Sequence, residues 1–151
     1  MSDRIREWLP HRPPVLFVDE LLEGDTLPQG VPADSAVAIK TFPAGSFGTD
    51  GNRVLESALI ECAAQTVAVL NGCNARKEGQ PLPQGMLVGV NDFEFPSCAR
   101  ADVPLRIAVK IVDQFGPFCM AEGQVEQEGA VVAKGALKFY TLEQDGETQT
   151  M

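Results

Sequence analysis

The segment Arg53 to Asn71 constrains this chain more than any other. Its apolar residues, Val54, Leu55, Ala58, Leu59, Ile60, Ala63, Ala64, Val67, Ala68, Val69 and Leu70, suit a helix but run nearly all the way round it, leaving no wide face for water. Asp50 or Asn52 is available as N-cap and Gly72 stands where a left-handed residue ends a helix, so a helix over about 53–71 is expected. Glu56, Glu61 and Gln65 interrupt the apolar run, which excludes a membrane-spanning helix. Such a helix has to be enclosed. A single curved antiparallel sheet wrapped around it meets that demand, and it leaves an edge strand and a helix flank to be buried by a partner subunit. A homodimer or a higher oligomer of dimers is therefore expected.

The rest of the chain supplies the strands. Val15 to Val18 and Ala36 to Phe42 read as two strands before the helix, with a Gly/Pro-rich loop over 23–34 between them and a glycine-rich loop over 45–52 after them. Met86 to Phe95, Leu105 to Gln114, Phe118 to Gln127 and Val131 to Leu142 read as four strands after it. Gly116-Pro117 and Glu128-Gly129 suit hairpin turns, so an antiparallel meander is the simplest arrangement for this half. The class is α+β with one dominant helix. Residues 1–151 are expected to form a single domain, with 143–151 a frayed tail.

Composition closes off several functions. Twelve Lys and Arg against 21 Asp and Glu give a net charge of −9, which argues against binding nucleic acid or an anionic membrane. The first eight residues contain no apolar core of a secretory signal, so a cytoplasmic location is expected. Cys62, Cys73, Cys98 and Cys119 form no CxxC pair and the single histidine, His11, is distant, so neither a metal nor a cofactor is expected and the thiols read as free and mostly buried. Arg4, Arg6 and Arg12, the pair Arg76-Lys77, and Lys134 with Lys138 are the local basic spots in an acidic chain; each is otherwise solvated surface.

One polar stripe crosses the apolar helix. Ser57, Glu61 and Gln65 fall at i, i+4 and i+8, with Glu61 at the centre. A carboxyl carried into apolar surroundings has its neutral form favoured by desolvation, which is how a general acid is prepared near neutral pH. The structural alternative is an interface row bonded to itself or to water.

Three stretches around this helix carry a family resemblance. Leu9-Pro10-His11-Arg12-Pro13-Pro14-Val15-Leu16-Phe17-Val18-Asp19 resembles the opening of beta-hydroxyacyl-acyl-carrier-protein dehydratases of the FabZ type. Leu59-Ile60-Glu61-Cys62-Ala63-Ala64-Gln65 is similar to that family's helical E-x-x-A-Q signature, and Val88-Gly89-Val90-Asn91-Asp92-Phe93-Glu94-Phe95-Pro96 to the strand that follows it. The resemblance spans about residues 9–142 and implies the hotdog fold. It also implies that Glu61 protonates a departing 3-hydroxyl while backbone N–H groups at the helix start polarise the thioester carbonyl.

The departures are equally specific. The family's base is a histidine in a Gly-His-Phe-Pro-Gly loop about fourteen residues before the glutamate, where this chain has Ala44-Gly45-Ser46-Phe47-Gly48-Thr49-Asp50-Gly51 and no histidine. Leu55-Glu56 replaces the family's Pro-Gly at the helix start. Phe47 with Asp50-Gly51, followed by Ile60-Glu61 and Ala64-Gln65, is closer to the FabZ-like branch associated with aryl-polyene gene clusters, the ApeP-like proteins. Asp50 is the nearest candidate base, against its ordinary role as a turn or cap residue. Ser57, Gln65, Phe47 and His11 are candidates for the substrate-binding surface, Gln65 also for positioning Glu61. Three functions stay open: a 3-hydroxyacyl-thioester dehydratase acting on an acyl-carrier-protein or coenzyme A thioester, a non-catalytic hotdog subunit that binds acyl thioesters or pairs with an active homologue, and an acyl-thioesterase.

Overall fold

A computed structural model describes residues 18–23, 34–77, 79 and 84–142. The segment around His11, most of the expected first strand and the tail over 143–151 lie outside the described residues. The strands are β1 (Glu20–Glu23), β2 (Ser35–Lys40), β3 (Thr49–Asp50), β4 (Arg53–Val54), β5 (Gln84–Glu94), β6 (Ala99–Arg100), β7 (Leu105–Phe115), β8 (Phe118–Gln127) and β9 (Ala130–Leu142), and the helix α1 (Glu56–Lys77) falls between β4 and β5. Among the described residues no helix is long and apolar enough to cross a membrane.

The helix is shifted from the expected span at both ends. Arg53 and Val54 are not helical because their backbones pair across to Asp50 and Thr49 on one side and to Arg100 and Ala99 on the other. Leu55 takes the capping place, its C=O accepting from Ala58 N–H (3.0 Å) and Leu59 N–H (3.2 Å), so Asp50 and Asn52 do not cap the helix. At the far end Gly72 stays helical and buried, and the left-handed glycine after the helix is Gly79 (φ 70°). Packing of the flanking Leu70 and Cys73 in the core outweighs the roughly 1 kcal/mol that glycine costs a helix relative to alanine.

Six antiparallel strands form one sheet in the order β1-β2-β7-β8-β9-β5. The expected meander covers β7, β8 and β9, but β5 crosses over to the far side of β9 instead of lying beside β7. Alternation decides the faces: Leu105, Ile107 and Val109 are buried against α1, while Arg106 and Lys110 point away from it. The helix approaches so closely that a Cβ on Gly123 would sit 3.0 Å from the Ala63 Cβ. Glu128 (φ 52°) and Gly129 (φ 83°) join β8 to β9 with both central residues left-handed, as a type I′ hairpin requires.

A second sheet, β3-β4-β6, has only two residues per strand and sits just ahead of the helix. Its partner segment is held by Gln127, a buried side chain that the sequence reading did not single out. Gln127 Oε1 accepts from Arg100 N–H (2.9 Å), and its Nε2 donates to Arg100 C=O (2.8 Å) and Val103 C=O (3.1 Å). From there Ala101 N–H reaches Asn52 C=O and Asp102 N–H reaches Phe42 C=O, both at 2.7 Å, while Asp102 Oδ1 accepts from Ala44 N–H at 3.2 Å. One buried amide thus clamps both ends of the loop that leads into α1.

Candidate active site

Glu61 lies just beyond the first turn of α1, half-buried, and the next residue on its stripe is nearly sealed: Gln65 is 1% exposed. Gln65 Nε2 donates to Glu61 Oε2 at 2.8 Å, so the buried amide fixes the orientation of the carboxyl. The i, i+4 spacing visible in the sequence is what makes this contact possible. Ser57, one turn earlier, is exposed on the helix's first turn. Leu55 N–H donates to Gly48 C=O at 2.9 Å, and Glu56 and Ser57 carry first-turn N–H groups for which a helix has no internal acceptor.

Two other candidates, Asp50 and Phe47, stand ahead of the helix, in β3 and the loop before it. Asp50 is exposed in β3, its backbone paired with Arg53, and its side chain makes no hydrogen bond to Glu61 or Gln65. Phe47 stands 59% exposed on the loop before it. His11 lies outside the described residues, as do Arg4, Arg6 and Arg12. Lys134 and Lys138 share the face of β9 turned away from the helix, where Lys138 Nζ sits 4.7 Å from the Phe118 ring centroid.

One charged residue not singled out in the sequence, Lys40, lies on the row of β2 that faces the helix, and it pairs with Asp19. On β2 the inward row Ala36, Ala38, Lys40 pairs with Val109, Ile107 and Leu105, so Lys40 ends an apolar row. Its side chain is only 13% exposed; Nζ lies 3.4 Å from Asp19 Oδ1 and 4.9 Å from the Phe42 ring centroid, and Asp19 Oδ2 takes the Thr41 N–H at 2.9 Å. The signal was present: period 2 across Ala36, Ala38 and Lys40 puts the lysine on the core face. Burial pushes the Cys62 thiol far above its usual range; Lys40 pulls it down, and Glu61 and Asp19 push it up. Cys62 therefore lies within the field of all three charges.

A groove of about 600 Å³ lies elsewhere, on the sheet face opposite α1, lined among others by Glu94, Arg106, Lys110, Glu122 and Lys134. Acidic and basic side chains alternate along it, and the sheet separates it from Glu61. The edge strand β5 is uncovered, with Met86 51%, Leu87 38%, Val88 49% and Val90 41% exposed. None of the cysteines forms a disulfide; Cys62, Cys73 and Cys119 are buried and Cys98 is exposed.

Comparison with known proteins places this geometry in context. A sequence model of the ApeP-like proteins, described as ApeP dehydratase, matches residues 3–151. The 3-hydroxyacyl-acyl-carrier-protein dehydratase FabZ of Streptococcus mutans is 30% identical over 141 residues, 90% of this chain and 94% of its own. That of Streptococcus agalactiae serotype V is 31% identical over 140 residues, 89% and 93%. Among solved structures, the dehydratase heterocomplex ApeI:P from Xenorhabdus doucetiae superposes with a TM-score of 0.79 at 19% identity, covering 93% of this chain and 91% of that one. A hypothetical thioesterase with coenzyme A from Streptococcus pneumoniae superposes at 0.63 and 13% identity, covering 84% and 88%. At such identities the structures establish the fold, and it is the expected hotdog fold.

Proposed function

Because this chain belongs to the ApeP-like dehydratase family, we propose that it removes water from a 3-hydroxyacyl thioester carried on acyl carrier protein or coenzyme A, with Glu61 as the general acid. The observation that carries this is the 2.8 Å bond from buried Gln65 to Glu61, which fixes the orientation of the carboxyl on the helix. In the reaction a proton leaves C2 and the C3 hydroxyl departs as water once Glu61 has protonated it, leaving a C2=C3 double bond conjugated with the thioester. The first-turn N–H groups of Glu56 and Ser57 suit the charge that develops on the thioester oxygen. Asp50 is the carboxylate on the loop where the family's histidine is missing, and we assign it as the base to be tested.

The test is mass spectrometry of a short 3-hydroxyacyl-acyl-carrier-protein incubated with the purified chain, following loss of water and release of thiol in parallel. Glu61→Gln keeps an oxygen to accept from Gln65 and removes the acid, so dehydration is expected to fall on the order of 10²- to 10⁴-fold with the fold intact. Turnover unchanged in that variant refutes the assignment. Asp50→Asn lowers the rate comparably if Asp50 is the base and leaves it alone if it is only a turn residue. Thiol release in place of water loss moves the protein to the acyl-thioesterases.

One observation favours a second reading. The loop Ala44–Gly51 lacks a histidine, and the apolar edge β5 offers a surface for another chain. A non-identical hotdog subunit supplying the missing base then replaces the homodimer, and activity emerges only when that partner is added.

A further inference from the structure

On the face of the six-stranded sheet turned away from α1, residues fall into register rows that run across β7, β8, β9 and β5. Paired residues share a side of the sheet, and Arg106, Lys110, Lys134 and Lys138 mark the outer one. Nearest the β7–β8 hairpin the outer row is Phe115, Phe118, Tyr140 and Met86. The Phe118 ring lies 5.8 Å from Phe115 and 5.4 Å, edge-on, from Tyr140, while Phe115 and Met86 stand 52% and 51% exposed. Further along the strands the charge changes sign from one strand to the next. The basic pair Arg106 and Lys110 on β7 is followed by Glu122 and Glu126 on β8, Lys134 and Lys138 on β9, and Glu94 on β5. Among the described residues no ion pair joins these columns. Each basic pair has an alanine between its two charges, Ala108 on β7 and Ala136 on β9, and both line the groove of about 600 Å³.

This pattern is complementary to itself. A two-fold axis parallel to the strands and passing between β8 and β9 lays β8 of one copy on β9 of the other, and β7 on β5, with every row facing its own row reversed. The apolar row then covers the apolar row, Phe115 against Met86 and Phe118 against Tyr140. Glu122 shares a row with Ala136, so it falls over the alanine of the other copy, between Lys134 and Lys138. In the row Ala108, Gln124, Lys134, Glu94, the same reversal puts Glu94 over Ala108, between Arg106 and Lys110. Like charges meet in none of these rows. We propose that this outer sheet face binds the same face of a second copy of the chain. The contact is separate from the uncovered β5 edge and independent of the reaction assigned above. A solvated face needs its charges but has no use for an exposed aromatic row in register with them.

Sedimentation velocity of the purified chain over a range of concentrations measures the association. Ala136→Glu fills one socket with a charge that repels Glu122, and Glu122→Lys sets a lysine between Lys134 and Lys138. The first makes the chain more acidic and the second less so, yet each is expected to weaken association by about tenfold. Together they restore opposite charges within one row, and Glu122→Lys/Ala136→Glu is expected to return to within about threefold of wild type. Thermal melts check that the variants fold. If the charge variants do not, Phe115→Ser, at a half-exposed position beside the hairpin, is expected to weaken association through the apolar row. A wild-type chain that stays monomeric overturns the proposal. So does association that the substitutions on this face leave unchanged, or a double variant that associates no better than the singles. Loss of association in Val88→Lys on the β5 edge, with the face variants unaffected, also overturns it, because the copies then meet only edge to edge.

Discussion

Gln127→Met is the substitution that best separates architecture from chemistry. Methionine has similar length and volume, so it fills the buried site without a cavity and deletes only the polar contacts. Three hydrogen bonds to the backbone of Arg100 and Val103 are lost, at 2.9, 2.8 and 3.1 Å. At about 0.5–1.5 kcal/mol net for each, the sum is roughly 1.5–4.5 kcal/mol, with about 3 kcal/mol as the central value. For about 150 residues the unfolding entropy is on the order of 0.3 kcal/mol per degree, so the melting temperature should fall by about 10 °C. Calorimetric melts of wild type and variant measure this. Hydrogen exchange adds the spatial prediction: the amides of Ala101 and Asp102, bonded to Asn52 and Phe42, and that of Ala44, bonded to Asp102, should lose protection ahead of the β7–β9 core. A melting temperature within about 2 °C of wild type, with those amides still protected, refutes the clamp.

Two further outcomes follow from packing and burial. In Gly135→Ala the new Cβ would meet the Phe93 ring and lie 2.8 Å from Phe93 Cα, a backbone atom that a rotamer change cannot move, so a loss of about 1–3 kcal/mol is expected in urea melts. A stability equal to wild type shows that β5 shifts freely over β9. Alkaline pH probes Cys62, whose buried thiol stays protonated in the fold while the unfolded chain ionises above the ordinary thiol value of 9.0. The unfolded state then binds fewer protons, so stability is held below pH 9 and falls above it by up to about 1.4 kcal/mol per pH unit for each such thiol. Cys119, also raised by burial, acts in the same direction. Urea midpoints at pH 8 and pH 10 should diverge less in Cys62→Ala; an equal divergence removes Cys62 as the cause.

What the sequence disclosed depends on whether a residue's neighbours are set by period or by tertiary contact. The long strands and α1 were legible because one burial period governs each of them, and the Glu61–Gln65 contact because i, i+4 spacing is local. The two-residue strands β3, β4 and β6 carry no period at all, and they exist only because Arg100 and Gln127 come to them from distant parts of the chain. That is also why Asp50 read as a helix cap: the residues after it belong to β4, and the helix begins at Glu56. The crossover of β5 to β9 was hidden for the same reason, since the turns that organise β7, β8 and β9 are local and the long connection from β5 is not.

Lys40 lies between these cases and bears on where the proposed site sits. The alternation Ala36, Ala38, Lys40 marks the place where the sheet's inner face changes from apolar to charged, and Glu61 is the charge between the apolar residues Ala58-Leu59-Ile60 and Cys62-Ala63-Ala64 of α1. Each charge alone reads as an exception to its element. Folding sets them on facing layers: Cys62, fully buried beside Glu61, lies in the field of Lys40, Glu61 and Asp19 together. The buried thiol beside Glu61 therefore feels both exceptions. A chain selected for packing alone has no reason to align them, because an inward charge on both layers weakens the core it interrupts. We therefore propose this end of the helix, and not the charged groove on the other face of the sheet, as the place where the protein acts.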